Sequence, residues 1–594
     1  MATSTKINGG LSDGNFEVKP PAPVKFSDLP GLLPTSRVPA GTDLEKVASA
    51  QLPQLLSLSD SLALTGSYRT FYSAKKVVSA WQETFNNQIP EDLTLVPNTA
   101  RAVNVPDVSS WINADFMFKV SAHGPEHNNG QWKIWMLRTA LQGLAGYENV
   151  DVLDPVVSHE TAPYEATKEY GELVKRHKHE TAQHFDVIVV GCGQAGLGVG
   201  GRLQALNVSY LVIDRFGAIG DSWNTRYDST KLHTVREFGH LPFYRTYDSS
   251  YPEFLTKGDI AKGHQDYVKR FGISTELVSS SWSTEENLWT CKLIRDGEHV
   301  TFTSVHLVFA CGSSGRSPVM PALPNREQFR GKVLHSSDYH NSSEWKGSRE
   351  VVVGSANTAH DVADDMLRAG LKSVTMIQRG RTWVLPAEHY MMVVKTSYNA
   401  TIPTEKPDLE SMSLPLPIRR QIAGNYVHTL ARNDSERFDA LEKAGFNVER
   451  YGDITSVIFE RLGGHYMDVG TSSKISEGLI KVKSGSPPKS YTPDGLLLED
   501  GTEVKADVII FTTGFVQNMR SIAGLIVGPE VESQLEVFWG LNEEGELKGA
   551  FKHTGHPGVW FTGGDIALAR YYSQFIALQI KAHLMGAPLE VYKE

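Results

Sequence analysis

Two glycine-rich segments carry the most explicit chemistry in the chain. In Gly191-Cys192-Gly193-Gln194-Ala195-Gly196, Gly191 permits a tight turn, Gly193 lets an anion approach the backbone, and Gly196 allows a helix to pack closely on a strand. Such a loop suits a pyrophosphate, because the helix that follows offers unpaired N–H groups and the positive end of its dipole. About twenty residues on, at the spacing an adenosine ribose requires, stands Asp214, followed by Arg215. The second segment, Gly354-Ser355-Ala356-Asn357-Thr358-Ala359, repeats the pattern with two alanines. Ala359 is within the tolerated form, whereas the Ala356 methyl should crowd a pyrophosphate and loosen its fit. The run after it ends in Arg379-Gly380-Arg381 in place of an acid. Cations there can meet a ribose 2′-phosphate, which favours NADPH over NADH. The plainer alternatives are a tight turn in an unliganded sheet and two solvent-facing arginines.

These loops need strands to hold them. Residues 185–190 form a near-continuous β-branched run, as a strand covered on both faces requires, and 209–213 and 351–353 read the same way. The pattern predicts an α/β protein with two nested Rossmann-like domains. Residues 183–347 and 506–594 are assigned to the first domain and 348–505 to the second, with a helical insertion over 403–450. Ahead of them we expect an extended or disordered arm over 1–40, a small α+β unit over 41–160 and a charged linker over 161–182. In the α+β unit, helical spacing marks residues 43–64 and 72–81, and strand-like runs at 114–120 and 131–138 predict a hairpin through His127-Asn128-Asn129-Gly130.

Composition narrows the classes. The 594 residues carry 58 Lys and Arg against 68 Asp and Glu, a formal charge of −10 without a basic stripe, so nucleic acid is not an expected partner. Cys192, Cys291 and Cys311 are the only cysteines and form no CxxC pair. That argues for a reducing compartment and against dithiol exchange, the chemistry of a pyridine-nucleotide disulfide reductase. The first residues lack the apolar core of a signal peptide and no run is long enough to span a membrane, so a cytoplasmic location is expected. No metal-ligand spacing is present, and Asp361, Asp364 and Asp365 read as the solvated face of a helix.

The segment Phe329-Arg330-Gly331-Lys332-Val333-Leu334-His335-Ser336-Ser337-Asp338-Tyr339 matches the FxGxxxHxxx(Y/F) fingerprint of the flavin-containing monooxygenases. Gly217-Ala218-Ile219-Gly220-Asp221-Ser222-Trp223 and Tyr227-Asp228…Leu232-His233-Thr234 resemble the GGxW…YD…LHT stretch of the plant indole-3-pyruvate (YUCCA) type, with Asp221 replacing a glycine. The 308–312 run with Cys311 in a Thr position, Thr513-Gly514 after 508–512, and Gly564-Asp565 agree with that family over roughly residues 183–585. The N-terminal unit resembles the NTF2-like cone domains of some fungal members.

The resemblance implies FAD on the first turn, with Gly220, Trp223, Leu232, His233, Thr234, Thr513, Gly514, Gly564 and Asp565 around it, and NADPH on Gly354, Ser355, Asn357, Thr358, Arg379 and Arg381. It further implies oxygenation of a small-molecule substrate, a 2-oxo acid or apolar metabolite, by dioxygen through a flavin C4a-(hydro)peroxide. His335 is then a candidate for placing the nicotinamide or a buried structural residue; His233 a candidate for tuning proton supply or a packing residue; Arg570 a candidate for facing substrate. Tyr339, where a Trp marks Baeyer–Villiger enzymes, makes that chemistry the alternative, and a catalytically silent flavin-binding scaffold is another. The N-terminal unit is the expected surface for any homo-oligomer.

Overall fold

The computed structural model describes residues 184–591 except 278, 286–287, 296–297, 313–316 and 517, together with stretches between 38 and 156, the longest being 89–105, 109–121 and 136–156. Nearly all of the expected arm and the whole expected linker lie outside the described residues.

Strand β1 (His184–Val190) is central: Val187, Ile188 and Val189 are wholly buried, as an apolar run between two covered faces must be. It runs parallel to β2 (Tyr210–Asp214) on one side and to Glu298–Phe309 on the other, and two antiparallel strands, Leu288–Arg295 and Ser279–Glu285, extend the sheet. Val190 pairs with Ile213 and Phe309, and Phe309 pairs in turn with Phe561. The chain therefore leaves towards Gly191, Asp214, Ala310 and Thr562 at one edge of the sheet. Ligands of open parallel sheets sit outside that edge.

A second sheet has five parallel strands. In space the order is β3 (Lys332–His335), β6 (Val508–Phe511), β4 (Arg349–Val353), β5 (Ser373–Gln378) and Ile480–Ser484. Strands β3 and β6 correct the expected boundaries, since residues 332–335 and 508–511 were assigned to the first domain. The burial of Val508, Ile509, Ile510 and Phe511 suits a central strand of either sheet, so periodicity could not choose between them. His335 pairs with Phe511, and Phe511 with Val353, so His335 lies two strands from the second glycine turn, roughly 10 Å at 4.8 Å per strand.

Helix α1 (Gln194–Ala205) follows the first turn and α2 (Asn357–Arg368) the second. The C-terminal α3 (Ile566–Leu584) packs on α1 through small residues: a Cβ on Gly198 would meet Ser573 Oγ at 3.4 Å. Residues 403–450 carry the helices Glu405–Met412, Leu416–Asn433 and Ser435–Lys443.

The N-terminal unit departs from expectation. Ser57–Ser61 is a strand, paired with Tyr68–Tyr72 and Leu137–Ala140, where helical spacing had predicted a helix through residue 64. Phe116–Ser121 pairs with Ile89–Leu95; the turn and most of the second strand of the hairpin expected between 114–120 and 131–138 lie outside the described residues. In residues 57–61 non-local pairing overrides local spacing. The unit docks on the C-terminal part of the chain: Tyr68, buried, meets the rings of Tyr572 at 5.5 Å and Phe575 at 5.7 Å, and Arg69 pairs with Glu544 at 2.7 Å.

Candidate functional site

The first turn is built for close approach. Gly191 has φ +114°, and a Cβ there would lie 2.5 Å from the Ala310 carbonyl oxygen; one on Gly196 would lie 1.8 Å from the Gly191 oxygen. Above Gly193 the nearest atom to a Cβ is Ser222 Oγ at 3.9 Å, leaving room for a phosphate. No side chain caps α1, so its first N–H groups are left for an anion. Asp214 accepts hydrogen bonds from Cys192 N–H at 2.6 Å and Phe216 N–H at 3.1 Å, which fixes its carboxylate beside the turn. These residues fit the adenosine diphosphate half of FAD. Arg215 is exposed.

The second turn copies the first in backbone. Gly354 has φ +134°, and a Cβ there would lie 2.2 Å from Thr512 Oγ1. Ala356 opens α2 at φ −94°, ψ −172°, against −86°, −170° for Gly193. The alanine therefore changes the loop by one methyl and not by its path. The Asn357 N–H already donates to the His465 carbonyl at 3.1 Å, and Met467 N–H donates to Asn357 Oδ1 at 2.7 Å, so the strand Tyr466–Asp468, beyond the insertion, edges the turn. Ser355 and Thr382 hydroxyls are 2.7 Å apart, and Thr358 hydrogen-bonds Tyr227. Arg379 is exposed, whereas Arg381 donates to the Val448 carbonyl at 2.8 Å. This cradle fits a second dinucleotide, with Arg379 the freer cation for a 2′-phosphate.

The two turns meet. Residues 227–234 leave the first domain and lie against α2: Tyr227 OH donates to Asp361 Oδ2 at 2.8 Å, and His233 Nε2 is 3.3 Å from Asp361 Oδ1. Asp361 was read as solvent-facing; its side chain is 10% exposed, and only its partner's identity, on another domain, could have told otherwise. Asp364 is likewise buried, and Asp365 accepts from Tyr339 OH and Ser342 N–H. Trp223 is buried, its Nε1 3.4 Å from Gln194 Oε1 at the start of α1. Gly220, φ +88°, has no room for a side chain against Ala261, and Leu232 N–H pairs with the Leu255 carbonyl; Thr234 is half-buried beside them.

His335 is buried at the end of β3. Its Nδ1 accepts from Ser337 N–H at 3.1 Å, its ring meets Phe515 edge-on at 5.2 Å, and its Nε2 is buried without a partner. Burial lowers its pKa, so the imidazole is neutral near pH 7. Thr513 Oγ1 donates to the Val319 carbonyl and Gly514 has φ +81°, forming the return turn. At the other edge Gly564 has φ +84°, and Asp565 caps α3 by accepting from Leu568 N–H at 2.8 Å; burial raises its pKa.

Arg570 does not face an open site. Its Nε and Nη2 pair with Asp408 at 2.6 and 2.8 Å, and Nη1 donates to the Phe238 and His240 carbonyls. The guanidinium ties the insertion to the first domain, so the substrate-facing expectation is replaced by a structural one. Asp408 and Tyr398, whose hydroxyl donates to it at 2.8 Å, were not singled out from sequence. Leu414 and Leu416 of the insertion share a cleft with Tyr68, Phe551 and Tyr572. Among the described residues no group of acids, histidines and cysteines is arranged to hold a metal, and no helix is long and apolar enough to cross a membrane.

Two dinucleotide turns on two domains that touch at α2 fit an oxidoreductase that pairs a flavin with a nicotinamide. Residues 188–412 match the family model described as pyridine nucleotide-disulphide oxidoreductase. Indole-3-pyruvate monooxygenase YUCCA8 of Oryza sativa subsp. indica is 27% identical over 389 residues, 63% of this chain and 82% of that one. The probable indole-3-pyruvate monooxygenase YUCCA1 of Arabidopsis thaliana is 24% identical over 354 residues, 58% of this chain and 79% of its own. A solved flavin-containing monooxygenase from Stenotrophomonas maltophilia aligns over 68% of this chain and 99% of its own, with 16% identity and TM-score 0.45. The chain is similar to flavin monooxygenases and to pyridine nucleotide-disulphide oxidoreductases, which supports an oxidoreductase.

Proposed function

We propose that the chain oxygenates a small organic carbonyl compound, a 2-oxo acid with an apolar side chain being the leading class. The observation that supports the reading is the contact of residues 227–234 of the first domain with α2, the helix that follows the second glycine turn. The substrate class follows the relatives, whose names state a 2-oxo acid. When bound, FAD and NADPH supply hydride transfer and activation of dioxygen; the chain supplies position, exclusion of water and hydrogen bonds. The Gly191 turn and Asp214 hold the flavin's adenosine half, and Trp223, packed on α1, walls the path from it. The Gly354 turn and Arg379 hold NADPH. His335, neutral with Nε2 uncommitted, is placed to hydrogen-bond a nicotinamide carboxamide rather than to carry charge.

Holoenzyme supplied with NADPH and ¹⁸O₂ tests this. A panel of aryl and alkyl 2-oxo acids, thioethers and tertiary amines should give ¹⁸O-labelled product from the oxo acids. Label appearing only in the sulfoxide or N-oxide would overturn the substrate class, and no labelled product at all would overturn the enzyme reading in favour of a flavin-binding scaffold.

A further inference from the structure

Three histidines from three segments surround the start of α2. His233 comes from the first domain, His360 from α2, stacked on Tyr466 with ring centroids 3.5 Å apart, and His465 from just before the strand Tyr466–Asp468. Each keeps one buried nitrogen without a protein partner: His233 Nδ1, His360 Nε2 and His465 Nδ1. Only His233 has a carboxylate against its other nitrogen, and that carboxylate, Asp361, also takes the Tyr227 hydroxyl. Asp361 stands one helical turn after Asn357, the first residue behind the second glycine loop.

We propose that Asp361 is a positioning residue for the nicotinamide side of the reaction: it orients His233 with its Nε2 proton on the carboxylate and leaves Nδ1 as a hydrogen-bonding atom for NADP(H) at the domain junction. A carboxylate that fixes a histidine's tautomer and ring orientation is a general device. The inference rests on the reading that NADPH binds at the Gly354 turn.

The groups facing His233 from every side are Asp361, Asn357 and His360 on α2, His465 before the strand Tyr466–Asp468, and Lys231 and Tyr227 on its own segment. Burial alone would lower its pKa; hydrogen bonding and charge from Asp361 overcome this and raise it above 6.5. His360 and His465, which have no carboxylate paired with a ring nitrogen, are lowered by burial to about 4, in His360 despite the charges of Asp468 and Asp361. The junction thus holds one imidazole that is charged below its raised pKa and two that stay neutral at physiological pH. The charged form favours a bound dinucleotide's negative charge.

The test uses the full-length holoenzyme labelled with ¹³Cε1-histidine, with His233→Asn to identify the resonance. In the parent protein His233 should titrate above 6.5, in Asp361→Asn below 6.5, and in Asp361→Glu nearer the parent value. The NADP⁺ dissociation constant, read from flavin fluorescence, should weaken as pH passes through the His233 titration in the parent and lose that break in Asp361→Asn. Identical titration of His233 in the parent and Asp361→Asn overturns the pairing; an unchanged NADP⁺ profile in Asp361→Asn overturns the positioning role. Anaerobic bleaching of the parent by NADPH, measured on the same samples, reports separately on the functional reading.

Discussion

The Arg570–Asp408 pair gives the strongest energetic prediction. Both side chains are nearly inaccessible, at 2% and 3%, and Asp408 also accepts the Tyr398 hydroxyl, so the carboxylate satisfies two guanidinium nitrogens and a phenol at once. Asp408→Asn keeps the shape and removes the charge, leaving a guanidinium whose remaining partners are the Phe238 and His240 carbonyls. Breaking a buried pair from one side costs about 3–5 kcal/mol, while replacing both partners with apolar groups of similar volume is often close to neutral. Asp408→Asn and Arg570→Met should therefore each destabilise by about that amount, and Asp408→Leu/Arg570→Met by less than either. The assay is urea unfolding followed by flavin release and far-ultraviolet circular dichroism, with the coupling energy taken from the cycle. Because the chain has several domains, the comparison is of midpoints for the transition that releases the insertion. Additive single effects, each below about 1 kcal/mol, would refute the claim that this pair anchors the insertion, and would return Arg570 to the list of residues available to substrate.

Three further outcomes are expected. Arg379→Ala should raise the KM for NADPH by about ten- to a hundredfold, the loss of a charge-assisted hydrogen bond, and leave the KM for NADH unchanged; Arg381→Ala, whose guanidinium is held by the Val448 carbonyl, should do less. Ala356→Gly should tighten NADP⁺ binding by a few fold, because the backbone already matches Gly193, while Gly196→Ala, with a Cβ 1.8 Å from the Gly191 oxygen, should purify depleted of flavin. Glu350 sits buried beneath the second sheet, where burial pushes its carboxyl from 4.5 up to about 8. The native state holds that proton more tightly than the unfolded chain, so stability falls as pH rises from about 4.5 to about 8; Glu350→Gln should flatten that slope in thermal melts.

Both dinucleotide turns, the helices behind them and the helical insertion were legible in the sequence, because each rests on local rules: glycines at fixed spacing, β-branched runs, small residues on a helix face. What was not legible depended on distant partners. Asp361 belongs to a polar-looking helix face until His233 and Tyr227 arrive from another domain, and Arg570 looks free until Asp408 meets it across more than a hundred residues. Strands β3 and β6 gave the same buried pattern whichever sheet received them. In the N-terminal unit, Ser57–Ser61 had helical spacing but found two strand partners.

The account stands on electron transfer between the two turns. Purified holoprotein titrated with NADPH in the absence of oxygen should lose its yellow colour promptly, at one equivalent of NADPH per flavin, and Gly354→Ala should bleach far more slowly while keeping its flavin. Bound flavin that stays oxidised under saturating NADPH would contradict it.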